Sequence, residues 1–390
     1  MKKIGLCVCY DTYNFGSQLQ VLATIKKIKE LGYKSEIIIY KKRLSLKFLL
    51  QTLPRFFNSY FVKGKLNSLL KKKKLSKYPN IKREITIRNN RFEKFIKENF
   101  TNLSSPYLGW EELVDKANNN YDIFLCGSDQ LWLPSNLGSH FYTLEFATKD
   151  KVKISYATSF GVSNIPWYQN INTKNYLNKF TFLSTREKAG AEIIKKLSNK
   201  IAKVVCDPTL LLNKDEWEEI IPNKKVIAEK YIFCYFLGTN MKHREIAKEL
   251  SQKTKLKIVT IPFLDDFHKE DVNFGDEKLF DIDSKDFVNL IRNAEYILTD
   301  SFHGSIFSII NHKKFMIFNR FLDQSKNSRN SRIDNLCNLL ELSSRRYKKD
   351  IYESIEEKID YEKVDKLLNI LRTDSFLWLK NALKNEEQGE

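Results

Sequence analysis

The sequence predicts an α/β protein built from two doubly wound parallel sheets. Short apolar runs of strand length alternate with helical stretches along the whole chain. The alternation breaks off after Asp207-Pro208-Thr209 and then restarts. That divides the chain into residues 1–207 and 208–390, as its length suggests at roughly 100–200 residues per domain. Hydrophobic residues make up 42% and aromatics 13%, enough for two cores and against general disorder.

The elements follow in order. Ile4–Tyr10 is an apolar strand, followed by the polar turn Asp11–Ser17. Leu19, Leu22, Ile25, Ile28 and Leu31 then recur at helical spacing until Gly32 stops the helix as a C′ residue. Ser35–Tyr40 is the second strand, which must run parallel to the first across such a crossover. Residues 41–100 interrupt the pattern and are predicted to be helices inserted into the first domain. Strands resume at Tyr121–Cys126, Lys151–Ala157, Phe180–Ser184 and Lys203–Cys206, with a helix over Lys188–Leu197. In the second half, strands are predicted at Tyr231–Leu237, Leu256–Ile261, Tyr296–Leu298 and Lys314–Phe318. Helices are predicted near Lys242–Thr254, Ser284–Arg292, Ser305–Asn311, Asn335–Leu342 and Tyr361–Leu383.

Charge is uneven. The net charge is +18, yet residues 41–100 hold 18 Lys or Arg against 3 Glu, a balance of +15 that leaves +3 for all the rest. Such a segment attracts polyanions such as nucleic acid, anionic headgroups or diphosphate-linked substrates, or it is a solvated helical face. No apolar run reaches the roughly 18–20 residues needed to span a bilayer. The basic start and short apolar run at the N-terminus lack a small-residue cleavage pattern and read as a first strand. The six cysteines form no CxxC pair, so they point to small core residues in a reducing, cytoplasmic compartment, with no metal site.

In doubly wound sheets, ligands sit outside the carboxyl ends of the strands, so the loops there carry the chemistry. Asn14-Phe15-Gly16-Ser17 is a strand-to-helix turn whose amides can hold an anion or sugar hydroxyls, or a plain structural turn. Gly127-Ser128-Asp129-Gln130-Leu131-Trp132 puts a carboxylate and an indole at a strand end. It suits a sugar site, with Asp129 accepting from a hydroxyl and Trp132 stacking on the ring; alternatively Ser128 or Asp129 caps a helix and Trp132 is core. Arg186 presents a guanidinium fork to a phosphate or carboxylate, or pairs with Glu187. The most specific stretch is Thr299–Ile310. Ser301, His303, Gly304 and Ser305 lie at a turn running directly into an apolar helix, whose free amides and positive dipole end favour an anion. There His303 can donate to a phosphate or act as an acid. Arg320, Lys326, Arg329 and Arg332 follow the next strand as a cationic loop. P-loop, dinucleotide-binding, zinc-protease and serine-elbow signatures are all missing.

Taken in order, these pieces resemble the polysaccharide pyruvyl transferase family. They are Asn14-Phe15-Gly16, Gly127–Trp132, Ser155–Gly161, Arg186-Glu187, Asp207–Leu211 and Asp300–Gly304, spanning about residues 1–340. The resemblance implies a GT-B-type fold, two Rossmann-like domains facing a cleft. The first would serve the acceptor and the second the donor phosphate. It implies phosphoenolpyruvate as donor, a sugar of a surface polysaccharide or a lipid-linked precursor as acceptor, and a pyruvate ketal as product. No further cofactor is implied. On this basis His303 and Asp129 are the candidate catalytic residues. Arg186, Ser301, Gly304, Ser305 and Arg332 are candidates for the donor, and Asn14, Gly16, Ser128 and Trp132 for the acceptor. Residues 41–100 would dock the chain peripherally on the anionic inner face of the cytoplasmic membrane. A nucleotide-sugar glycosyltransferase of the same plan is the competing reading. A nucleic-acid-binding protein is disfavoured for want of a recognised motif.

Overall fold

The computed structural model describes residues 2–43, 79–134, 140–263, 271–320 and 331–384. Residues 44–78 of the basic segment, with Lys326 and Arg329, lie outside the described residues. The strands are β1 (Lys3–Cys7), β2 (Lys34–Ile37), β3 (Tyr40–Lys41), β4 (Tyr107–Leu108), β5 (Ile123–Asp129), β6 (Val152–Thr158), β7 (Phe182–Thr185) and β8 (Lys203–Val204). In the second half they are β9 (Tyr231–Tyr235), β10 (Lys257–Thr260), β11 (Glu277–Lys278), β12 (Tyr296–Thr299) and β13 (Lys314–Ile317).

All strand pairings are parallel, and they form two larger sheets and a two-stranded β3-β4 ribbon. The first sheet has the order β2-β1-β5-β6-β7-β8 and the second the order β11-β10-β9-β12-β13. The central strands β1, β5, β6, β9 and β12 are largely buried, as a sheet covered on both faces requires, while β2, β8 and β11 are part-exposed. This is the two-domain, GT-B-type plan. Each sheet has a point where the winding reverses, between β1 and β5 in the first and between β9 and β12 in the second. Crevices at such switch points are where open α/β sheets bind ligands.

The helix Phe15–Glu30 is capped by Asn14, whose side chain accepts from the Ser17 amide. It ends at Gly32, whose φ of 83° relaxes the turn in the left-handed region. The inserted helix Pro79–Asn99 sends Phe92 and Phe95 into the core. Its Arg91 reaches the second half, 3.2 Å from Asp283 and 3.4 Å from Asp281. This part of the basic segment therefore bridges the two halves. The final helix, Tyr361–Lys384, assigned by the sequence to the second domain, packs back on the first. Trp378 lies 6.2 Å from Tyr156, and Ser375 accepts from the Cys206 amide at 2.9 Å. Among the described residues, no helix is long and apolar enough to cross a membrane.

The largest apolar cluster runs through both halves, while a second belongs to the first half and a third to the second. The seam is tight. The Phe15 ring stacks on Phe287 at 5.0 Å and 3°, and buried Gln18 accepts from Ser284 at 2.7 Å. We therefore expect Phe15→Ala to cost about 3–5 kcal/mol, as removal of a buried Phe does. Denaturant unfolding checks this. A change below about 1 kcal/mol would mean that the halves do not depend on this contact.

Candidate functional site

A cavity of about 240 Å³ opens where the two sheets' carboxyl edges meet. Its lining comes from both switch points: Asn14 and Gly16 after β1, Asp129 and Gln130 at the end of β5, Tyr235 and Leu237 at the end of β9, and Asp300–His303 after β12. Phe263, Phe287, Arg320, Arg332 and Ile333 complete it.

The first turns of the helix Phe15–Glu30 hold two carboxylates. Ser17 donates to Asp129 at 2.8 Å, and Gln20, one turn on, donates to Asp207 at 2.6 Å. Spacing of three residues puts both on one helix face. Asp129 has φ 77° and also accepts from the Gln130 amide at 2.8 Å. Burial pushes its carboxyl up, but Arg186, His303, Arg332 and the Ser17 hydroxyl outweigh this and hold it below the usual carboxylate range.

Asp207 is the hub. Its buried side chain takes bonds from Gln20, from Arg186 at 2.7 Å and from the Thr209 amide and hydroxyl at 3.0 and 2.7 Å. His303 Nε2 lies 3.8 Å from the same carboxylate oxygen that Arg186 binds. Burial raises this carboxyl, yet the His303 and Arg186 charges and the Thr209 bond bring it down to about 2. Arg186 is buried, with its guanidinium 4.8 Å from the Phe302 ring centroid, and its Nε and Nη2 have no hydrogen-bond partner among the described residues. Arg332 lies 5.5 Å from the same ring.

His303 is 12% exposed. Burial lowers its pKa below the ordinary 6.5, as do Arg186 and Arg332, against the pull of Asp207 and Asp129. The helix Phe302–Ile310 is capped by Ser301, whose hydroxyl accepts from the Gly304 amide at 3.3 Å. The Ser305 amide bonds the Ser301 carbonyl at 3.0 Å. The amides proposed from the sequence as anion donors, those of Gly304 and Ser305, are therefore spent within the helix. The helix starts three residues earlier than predicted, so Phe302 and His303 supply its first amides.

Of the residues singled out by sequence, Asn14, Gly16, Asp129, Ser301, His303 and Arg332 line the cavity. Arg186 sits behind them, bound to Asp207 rather than open to a ligand. Ser128 is buried, donating to the Ala157 carbonyl at 3.0 Å. Trp132 is corrected outright. It is fully buried, its indole N–H donates to the Tyr142 carbonyl, and its ring packs on Phe160, Tyr176 and Phe180, so no face is left for a sugar. Gly304 lets its helix approach β12, since a Cβ there would meet Thr299 Oγ1 at 2.6 Å. Asp207 and Gln20 were missing from the residues assigned roles by sequence, while Arg320, read as part of a cationic loop, does line the cavity. Asp207 did stand in a quoted motif, and its burial beside an Arg was the signal not available.

Gly16 makes the most direct contact between the halves: a Cβ on it would lie 2.0 Å from His303 Nδ1. We expect Gly16→Ala to displace the imidazole while leaving the fold intact. It should cost at least 10-fold in turnover, as misplacement of a reacting group does, with near-native circular dichroism. Asp207 gives a pH signature. Its carboxyl is held at about 2, against about 3.9 unfolded, so its contribution is present above about pH 4 and lost as pH falls toward 2. Acid unfolding of wild type should therefore be steeper over pH 4–2 than that of Asp207→Asn.

A search of curated protein sequences gave no match. Solved structures with a similar chain course include the UDP-GlcNAc 2-epimerase from Neisseria meningitidis bound to UDP-GlcNAc, at 12% identity and TM-score 0.45, covering 97% of this chain and 100% of that one. A putative UDP-N-acetylglucosamine 2-epimerase from Listeria monocytogenes matches at 12% and 0.48, covering 100% and 98%. An alpha-glucosyltransferase in complex with UDP matches at 8% and 0.47, covering 100% and 96%. The family model for polysaccharide pyruvyl transferase matches residues 14–320, which takes in every strand-end loop that lines the cavity from Asn14 to Arg320, and the chain belongs to that family.

Proposed function

We propose that the protein transfers a pyruvyl group from phosphoenolpyruvate to a sugar of a surface polysaccharide or its lipid-linked precursor, forming a cyclic ketal and releasing phosphate. The observation that carries this reading is the convergence of His303, Arg320, Arg332 and the first amides of the helix Phe302–Ile310 on one cavity, opposite the carboxylate of Asp129. A donor with a carboxylate and a phosphate needs several cationic and amide partners, and the second half supplies them. At about 240 Å³ the cavity is smaller than the roughly 300–1,000 Å³ of pockets enclosing drug-sized ligands, which favours a compact donor.

The chemistry follows from the placement. His303, protonated beside the bound dianion, gives its proton to the methylene carbon, whose π electrons form the new C–H bond. The adjacent carbon becomes electrophilic, and a sugar hydroxyl adds to it as Asp129 takes the hydroxyl proton. A second hydroxyl then displaces phosphate, which leaves with the C–O electron pair and the remaining proton. The +15 segment would draw the enzyme toward anionic surfaces or diphosphate-linked acceptors.

His303→Ala should lower phosphate release from phosphoenolpyruvate by roughly 10²–10⁴-fold. Near-full turnover, or release of nucleotide from a nucleotide sugar instead, would refute the assignment. Arg320→Gln and Arg332→Gln should act mainly by raising KM. The pH profile has a definite sign. The imidazole of the free protein titrates below 6.5, and a bound dianion favours its protonated form. Both kcat/KM and kcat should therefore fall as pH rises, with kcat/KM breaking at the lower pH.

A further inference from the structure

We infer that Asp207 is a positioning residue for the reaction: its carboxylate fixes His303 with Nε2–H turned to the protein and Nδ1 turned to the cavity, and sustains the imidazolium when it forms. The inference rests on the proposed function for its kinetic consequence alone.

The geometry sorts the two ring nitrogens. Nε2 is buried, has no hydrogen-bond partner among the described residues and lies 3.8 Å from Asp207 Oδ2. A shift of about 1 Å would make this a hydrogen bond, and such contacts commonly tighten only when substrate binds. Nδ1 lies instead against the backbone of Gly16, a residue of the cavity wall. An acceptor fixed at Nε2 selects the tautomer protonated there and leaves Nδ1 to take up and deliver the reacting proton.

The charged groups acting on His303 come from several elements. Asp207 follows β8 and Asp129 ends β5; both favour the protonated ring. Arg186, after β7, and Arg332, on the helix Ser331–Leu339, oppose it. Asp129 is bound to Ser17 and the Gln130 amide and faces the cavity, so it is free to serve the acceptor only if another carboxylate supports the imidazolium. Asp207 is placed for that. It has no exposure, and Gln20, Arg186 and Thr209 hold it rigid and ionised. It is not among the residues lining the cavity and so acts through His303, which is.

The test is an NMR titration of the five histidines in isotopically labelled protein, with His303→Ala identifying the resonance. In wild type without ligand, His303 at pH 8 should show the Nε2–H tautomer. The Nδ1–H tautomer there would overturn the inference with no variant needed. In Asp207→Asn, His303 should titrate about one unit or more lower, and in Asp207→Glu close to wild type. Steady-state phosphate release from phosphoenolpyruvate at pH 7 should fall about 10²-fold in Asp207→Asn, with little change in KM and an earlier loss of rate as pH rises. A folded Asp207→Asn protein with an unchanged His303 titration would also overturn it. If wild type releases no phosphate from phosphoenolpyruvate, the proposed donor fails, while the tautomer and titration still decide the role of Asp207.

Discussion

The site depends on one buried carboxylate shared between a guanidinium and an imidazole. Asp207 stands where the chain leaves the first sheet for the second, and its charge is tolerable only because Gln20, Arg186 and Thr209 surround it. Taking an ionised group out of water costs several kcal/mol unless such partners are present. The converse also holds, since Arg186 would be an uncompensated buried charge without Asp207. His303 of the second half is drawn to the same oxygen, so the electrostatics that close the first half also place the imidazole proposed to react.

The sheets make this meeting inevitable in outline and the glycine makes it possible in detail. Both winding reversals open on the same crevice, so loops far apart in sequence share one cavity. The stack of Phe15 on Phe287, the Gln18–Ser284 bond and the Arg91 bridge fix the separation of the two edges. Within that spacing only a residue without a side chain fits at position 16. Groups held this firmly cost little reorganisation when charge develops, which is the most effective form of electrostatic catalysis.

Much of this was legible in the sequence. The ten predicted strands all exist, and the central ones are the clearest, because fully buried parallel strands leave apolar runs such as Ile123–Cys126 and Tyr231–Tyr235. The two-residue strands β3, β4 and β11 carry too few apolar residues to register, whereas β8, equally short, is flanked by the apolar run Val204–Cys206. The order of strand-end motifs located His303, Asp129 and Arg332 correctly on the cavity. Depth was not legible. Trp132 stands just past a strand end, where a sugar-stacking face was expected, yet it is fully buried. Arg186 reads as a ligand from its position after β7, and only the three-dimensional approach of Asp207, 21 residues on, reveals it as a buried partner. The start of the helix Phe302–Ile310 was placed three residues too late for a similar reason. Ser301 is a good cap by type, and the strand end at Thr299 brings it to the helix opening.

The most direct measurement is a crystal structure of the protein soaked with phosphoenolpyruvate. The account predicts the phosphate at the opening of the helix Phe302–Ile310, beside His303, and the methylene carbon within reach of Nδ1. Density for the donor elsewhere, or with its methylene on the far side of the cavity from the imidazole, would contradict it.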